Sequence, residues 1–183
     1  MSKISFVSLS RLKGAIKKVS RELEFHGFLD DAVDEVPVYW VPAGGAHGWQ
    51  GYGGTGCIYV PAVSVMRIYE KLRGTYTSLA DVVRHEYGHA VADTHRGLIR
   101  SREFSGIFGG SHDSFEMQEF DGEVHVSAYA AKNSAEDFAE VFMCFLRHKG
   151  KLPAELDYPT IRQKWSFVRR LGRAIQDGRR RWY

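Results

Sequence analysis

The stretch from Leu79 to Thr94 constrains this chain more than any other. Thr77 or Ser78 offers a helix cap, and Leu79, Val82, Val83, Tyr87, Ala90 and Val91 supply apolar faces. The pattern predicts a helix over 79–94. Within it stand His85-Glu86-Tyr87-Gly88-His89. Residues four apart on a helix lie about 40° apart around the axis and roughly 6 Å along it, so both imidazoles reach one point. Two neutral imidazoles on one face suit a zinc ion, given one more protein ligand and a fourth position open to water. Glu86, beside the first histidine, stands where it can take a proton from that water. The plain alternative is a solvated helix carrying two unrelated histidines.

Two candidates compete for the third ligand. The run 133–142 predicts a second helix, from about Ser134 to Arg147, with Phe138, Val141, Phe142 and Phe145 as its apolar stripe. Glu136 and Glu140 share another face, one turn apart. One carboxylate can serve the metal and the other can accept the free N–H of a ligand imidazole. The rival is His95, ten residues after His85, which is the spacing of the extended HExxHxxGxxH pattern. That pattern needs a sharp turn where this chain has Ala92, a strong helix former. If the helix continues, His95 lies roughly 15 Å along the axis from His85. Met117 as a methionine turn, and His112, His125 or an aspartate as ligand, are further and weaker choices.

Elsewhere the sequence is read more coarsely. Leu9, Leu12, Ile16, Val19 and Leu23 predict an amphipathic helix over 8–25, capped by Ser8 or Ser10. Residues 36–41 read as a strand. Residues 43–56 hold seven glycines in fourteen positions and read as a flexible loop. It is neither a phosphate loop nor a dinucleotide fingerprint, because no Gly-Lys-Ser/Thr ending follows and it precedes a strand. Residues 57–60 read as a strand ending at Pro61, and 63–72 as a short helix. Residues 97–127 are mixed, with a loop at 109–113. Ile161, Trp165, Val168 and Leu171 or Ile175 predict a last amphipathic helix from about 158 to 175, extended to 177 at its basic end.

With 183 residues, 44% hydrophobic and 26% charged, the chain suits one folded domain and excludes a disordered one. The expected core spans about 36–150, with helices 8–25 and 158–177 as appendages. Residues 81–125 carry a net −5 and residues 151–183 a net +6. An acidic middle can hold a cation. The basic end reads as a solvated helix face. Nucleic-acid binding is not expected, because no aromatic-interleaved basic groove accompanies it. Nothing resembles a signal peptide or a membrane span, and Cys57 and Cys144 form no disulfide framework. A reducing, cytoplasmic setting is the default, with export by a route that needs no such signal left open. Cys57 reads as a packing thiol.

The HEYGHAVAD run, the pair Phe104 and Phe108, and the segment from Ser127-Ala-Tyr129 to Glu140 resemble a known family. It is the gluzincin metallopeptidases, to which the anthrax lethal factor catalytic domain and the Pro-Pro endopeptidases belong. The resemblance covers roughly residues 77–148. It implies an α+β zincin-like domain: a small sheet, an active-site helix and a second, glutamate-bearing helix. It implies a zinc endopeptidase with one catalytic zinc held by His85, His89 and Glu136. Glu86 is then the general base for a zinc-activated water, Tyr129 a donor to the oxyanion, and Glu140 a partner behind a ligand. The implied substrate is an extended peptide or protein lying along a strand near 57–60. A catalytically silent module on the same scaffold, and a peptidase using His95, remain as alternatives. The oligomeric state, cleavage specificity and target are not legible.

Overall fold

The computed structural model describes residues 6–52, 55–66, 68 and 77–182. It is an α+β fold with a small mixed sheet. The chain opens with α1 (Leu9–Phe25) and the single turn α2 (Asp31–Asp34). Three strands follow: β1 (Val38–Gly44), β2 (Gly48–Tyr52) and β3 (Thr55–Ser64). Then come α3 (Leu79–Thr94), the short helices α4 (Arg96–Ile99) and α5 (Arg102–Phe108), α6 (Ser134–Arg147) and α7 (Pro159–Gln176). A 3-10 turn at Ala130–Lys132 leads into α6. Among the described residues no helix is long and apolar enough to cross a membrane.

The helices start where side chains satisfy their first N–H groups. Ser8 Oγ accepts from Arg11 N at 3.3 Å, Ser78 Oγ from Asp81 N at 3.1 Å, and Asn133 Oδ1 from Glu136 N at 2.9 Å. α5 stops at Gly109, whose φ of 75° is left-handed.

The strand order is β1-β3-β2, with β1 parallel and β2 antiparallel to β3. The glycine-rich run 43–56 is not one loop: it holds the end of β1, all of β2 and the start of β3. Two of its glycines, Gly51 and Gly56, are required by close packing. A Cβ on Gly51 would collide with the Asp93 carboxylate and the Trp49 indole. β3 also continues through Pro61 to Ser64. Pairing with β2 ends at Tyr59, so Pro61 has a strand partner on the β1 side only and its missing N–H costs no ladder bond to β2. Residues 57–60 therefore lie in the central strand, between the edge strands β1 and β2. Residues 63 and 64 of the expected 63–72 helix belong to β3; residues 67 and 69–72 lie outside the described residues.

Buried apolar side chains gather in a cluster drawn from α1, β3, α3, α5, α6 and α7. Phe104, Phe108, Phe138 and Phe167 stack and meet edge to face at its centre, with ring centroids 4.6–6.5 Å apart. The helices expected as appendages supply Leu12, Val19 and Leu23 from one end and Trp165, Phe167, Val168 and Leu171 from the other. Their apolar stripes need a surface to cover, and the surface is this core.

α3 is buried on almost every side, charged residues included. Arg84 is held by both oxygens of Glu22, at 2.7 and 2.8 Å, and by Asp81 at 2.5 Å; Arg147 reaches Asp81 at 2.9 Å. Paired this way, the charges escape the cost of isolated burial. α3 and α6 touch at Gly88, where an added Cβ would stand 3.1 Å from Ala139 Cα. That close approach brings the two histidines of α3 against the glutamates of α6.

Candidate metal centre

The first turn of α6 carries Glu136, three residues after its cap Asn133. A carboxylate at a helix N-terminus is favoured by the exposed N–H groups and the helix dipole. From there Glu136 Oε2 lies 3.2 Å from His85 Nε2 and 3.3 Å from His89 Nε2. The two imidazole Nε2 atoms are 3.2 Å apart. These three atoms form a nearly equilateral triangle. Zinc–ligand bonds of about 2.0–2.1 Å at tetrahedral angles place ligand atoms about 3.3–3.4 Å apart. The triangle therefore fits a zinc ion, with a fourth position left over. Among the described residues His85, His89 and Glu136 are the one group of three or more candidate ligand side chains close enough to hold a metal ion.

The surroundings orient the ligands. Glu140 Oε1 accepts from the His85 ring at Nδ1, 2.8 Å away, which leaves Nε2 to face the triangle. Glu140 is itself fixed by Ser127, whose hydroxyl donates to Oε2 at 2.6 Å. Tyr129 OH donates to Glu136 Oε1 at 3.3 Å, and its ring meets the His85 ring edge-on at 5.7 Å. Lys132 Nζ lies over the Tyr129 ring, 4.3 Å from its centroid. Glu86 is not part of the triangle. It is buried beside it, with the main-chain N–H of Trp49 donating to its carboxylate.

The electrostatics agree with a cation site. Burial would lower the His85 imidazole, but hydrogen bonds to Glu136 and Glu140 push it up to about 10. Burial would raise Glu136, but the two imidazoles hold it well below the usual carboxylate range. Burial raises Glu86, partly offset by His85 and His89. Burial, then Glu136, raises the Tyr129 phenol, so it stays a donor at neutral pH. Three carboxylates around two imidazoles thus demand positive charge, from a proton or from a metal.

This gives a sign that can be checked. The ordinary value of His85 is 6.5 and the folded value about 10. The metal-free fold binds the extra proton, so this group adds stability below pH 6.5 and loses it as pH climbs through about 10. Metal-free protein is expected to melt at a lower temperature at pH 10 than at pH 7, and a His85→Asn variant to show a smaller fall. A zinc ion bound at Nε2 would displace that proton, so protein loaded with zinc should hold its melting temperature across the same window. Thermal melts with and without a chelator test this; a fall in metal-free protein no larger than in His85→Asn overturns it.

The other sequence candidates lie elsewhere. α3 runs unbroken through Ala92, Asp93 and Thr94. His95 sits at its end, buried, with Nε2 3.5 Å from Asp30. It is not in the triangle, because Ala92 gives the helix no reason to turn. Met117 is 79% exposed and forms no floor to the site. His125 hydrogen-bonds Gln118 at 3.2 Å, and His112 packs on Phe104. Two residues of the site were missed by reading the sequence. Ser127 was noted only as part of a run. His47, in the glycine-rich run, reaches within 3.6 Å of Glu86. Comparison of the chain with known protein families, curated proteins and solved structures gives no match.

Proposed function

We propose that this protein is a zinc metalloendopeptidase of the gluzincin type, a zincin-like domain spanning the chain. The observation that carries the reading is the triangle of His85 Nε2, His89 Nε2 and Glu136 Oε2, edges 3.2–3.3 Å, with Glu86 beside it. A zinc ion held by these three side chains would supply Lewis-acid chemistry and make a bound water more acidic. Glu86 takes the proton from the attacking water and passes it to the leaving amine nitrogen. Tyr129, protonated and within reach of Glu136, donates a hydrogen bond to the carbonyl oxygen as it becomes negative. Glu140 and Ser127 keep His85 in the tautomer and orientation the ligand role needs. The substrate backbone lies extended along β2, which among the described residues has a strand partner on one side only.

The test is zinc content and cleavage together. Wild type is expected to hold one zinc per chain and to cut peptides in a mixed-sequence library. Glu136→Ala should weaken zinc binding by more than the roughly 10–100-fold that loss of an outer partner costs. Zinc that survives Glu136→Ala moves the third ligand elsewhere. Zinc bound without cleavage of any library peptide replaces the enzyme by a silent binding module. No zinc after reconstitution removes the reading altogether.

A further inference from the structure

His47 is a lone imidazole in the run of glycines and alanines from 43 to 48. The fold puts it immediately before β2, with its side chain 16% exposed and Nε2 3.6 Å from Glu86 Oε1. It lines a cavity of about 480 Å³ beside Glu86, together with Ala46, Val82 and Tyr129. Two residues further on, the main-chain N–H of Trp49 donates to the same carboxylate. The Trp49 indole donates to Asp93 Oδ2 at 2.7 Å, and this fixes β2 to α3. One short segment therefore brings two groups to a single carboxylate from another part of the chain.

A base that accepts a proton at one atom and delivers it to another needs its carboxylate held in one orientation. Glu86 is 3% exposed, so water is a poor substitute partner. At 3.6 Å the imidazole stands beside the carboxylate without a full hydrogen bond. Such contacts in unliganded sites commonly tighten when substrate closes over them. We propose that His47 is a positioning residue that, with the Trp49 N–H, fixes the orientation of the Glu86 carboxylate toward the metal triangle. The role rests on the peptidase reading above. Its place at the mouth of the edge strand also means that a substrate lying along β2 would cover it and exclude water from Glu86.

The experiment compares wild type, His47→Ala and His47→Asn, each checked for folding by circular dichroism. The expected result for His47→Ala is unchanged zinc content, unchanged KM and a kcat about tenfold to a hundredfold lower. His47→Asn, which keeps a side-chain donor, should recover part of that loss. A rise in KM with kcat unchanged would make His47 a substrate contact and overturn the proposal; so would kcat equal to wild type. If wild type cuts no peptide, the peptidase reading fails on its own. Crystal structures of wild type and His47→Ala then decide the positioning role. A second Glu86 rotamer in the variant alone supports it, and an unchanged single rotamer overturns it.

Discussion

Glu86→Gln is expected to leave one zinc per chain and to lower kcat by about 10²–10⁴-fold, the range assigned to general acid–base groups. The two halves of this result come from separate parts of the geometry. Glu86 is outside the triangle formed by His85, His89 and Glu136, so the ligand set is intact without its charge. Glutamine has the same shape, and its carbonyl oxygen can still accept from the Trp49 N–H. It cannot take up a proton near neutral pH. Burial raises Glu86 toward the pH range in which a base both accepts and releases its proton efficiently. Zinc content by elemental analysis and kcat on one cleaved peptide test the pair of statements. A rate within twofold of wild type would sink the mechanism, and lost zinc would show Glu86 to be a ligand or a structural support.

What could be read in advance was local. The helix over 79–94 follows from a serine cap and a 3- and 4-residue apolar rhythm, and α3 has those bounds. The same holds for α6 behind Asn133. The four-residue spacings of His85 with His89, and of Glu136 with Glu140, fix what each helix can present. They do not say that the two faces meet. That depends on Gly88 standing against Ala139, a contact between residues 51 positions apart. That Glu136 and not His95 joins the two histidines therefore follows from the packing of α3 on α6, not from the spacing within either helix.

The failures have a common cause as well. Glycine weakens an isolated strand, so a run with seven glycines reads as loop. β2 forms because tertiary contacts override that preference: Trp49 is anchored on Asp93, and Gly51 leaves the room it needs. Misreading that run hid His47, whose significance depends on Glu86 lying 39 positions away. Reading 57–60 as the substrate edge failed for the same reason, since β2 pairs on its outer side. The basic C-terminal helix is solvated along most of its charged positions, with Arg162, Arg169 and Arg173 exposed as charge counting suggests. Lys164 is the exception and is among the most buried side chains of the protein.

Lys164→Met is expected to destabilise the protein by about 3–5 kcal/mol at pH 8, the cost of leaving a buried charge without its partner. Lys164 Nζ lies 2.5 Å from Asp137 Oδ2, with both side chains 1% exposed, and also donates to Val124 O at 2.7 Å. Asp137 Oδ1 has no hydrogen-bond partner among the described residues. Burial already pushes Asp137 up to about 6, although Lys164 pulls it down. Removing the lysine raises it further. A carboxyl whose folded value exceeds its unfolded one loses stability as pH rises through the folded value. The penalty should therefore shrink toward pH 5, where Asp137 is protonated in both proteins. Adding Asp137→Leu to the variant should recover much of the loss, because an apolar pair needs no compensation. Denaturant titrations at pH 5 and pH 8 measure all of this; a penalty of similar size at both would mean that lost packing, not lost charge, is responsible. The consequence reaches the metal. Asp137 is the neighbour of Glu136 in the first turn of α6, and its ion pair ties that turn to α7. A chain that loosens this turn loosens the third ligand, so Lys164→Met should also hold zinc more weakly at pH 8 than wild type does.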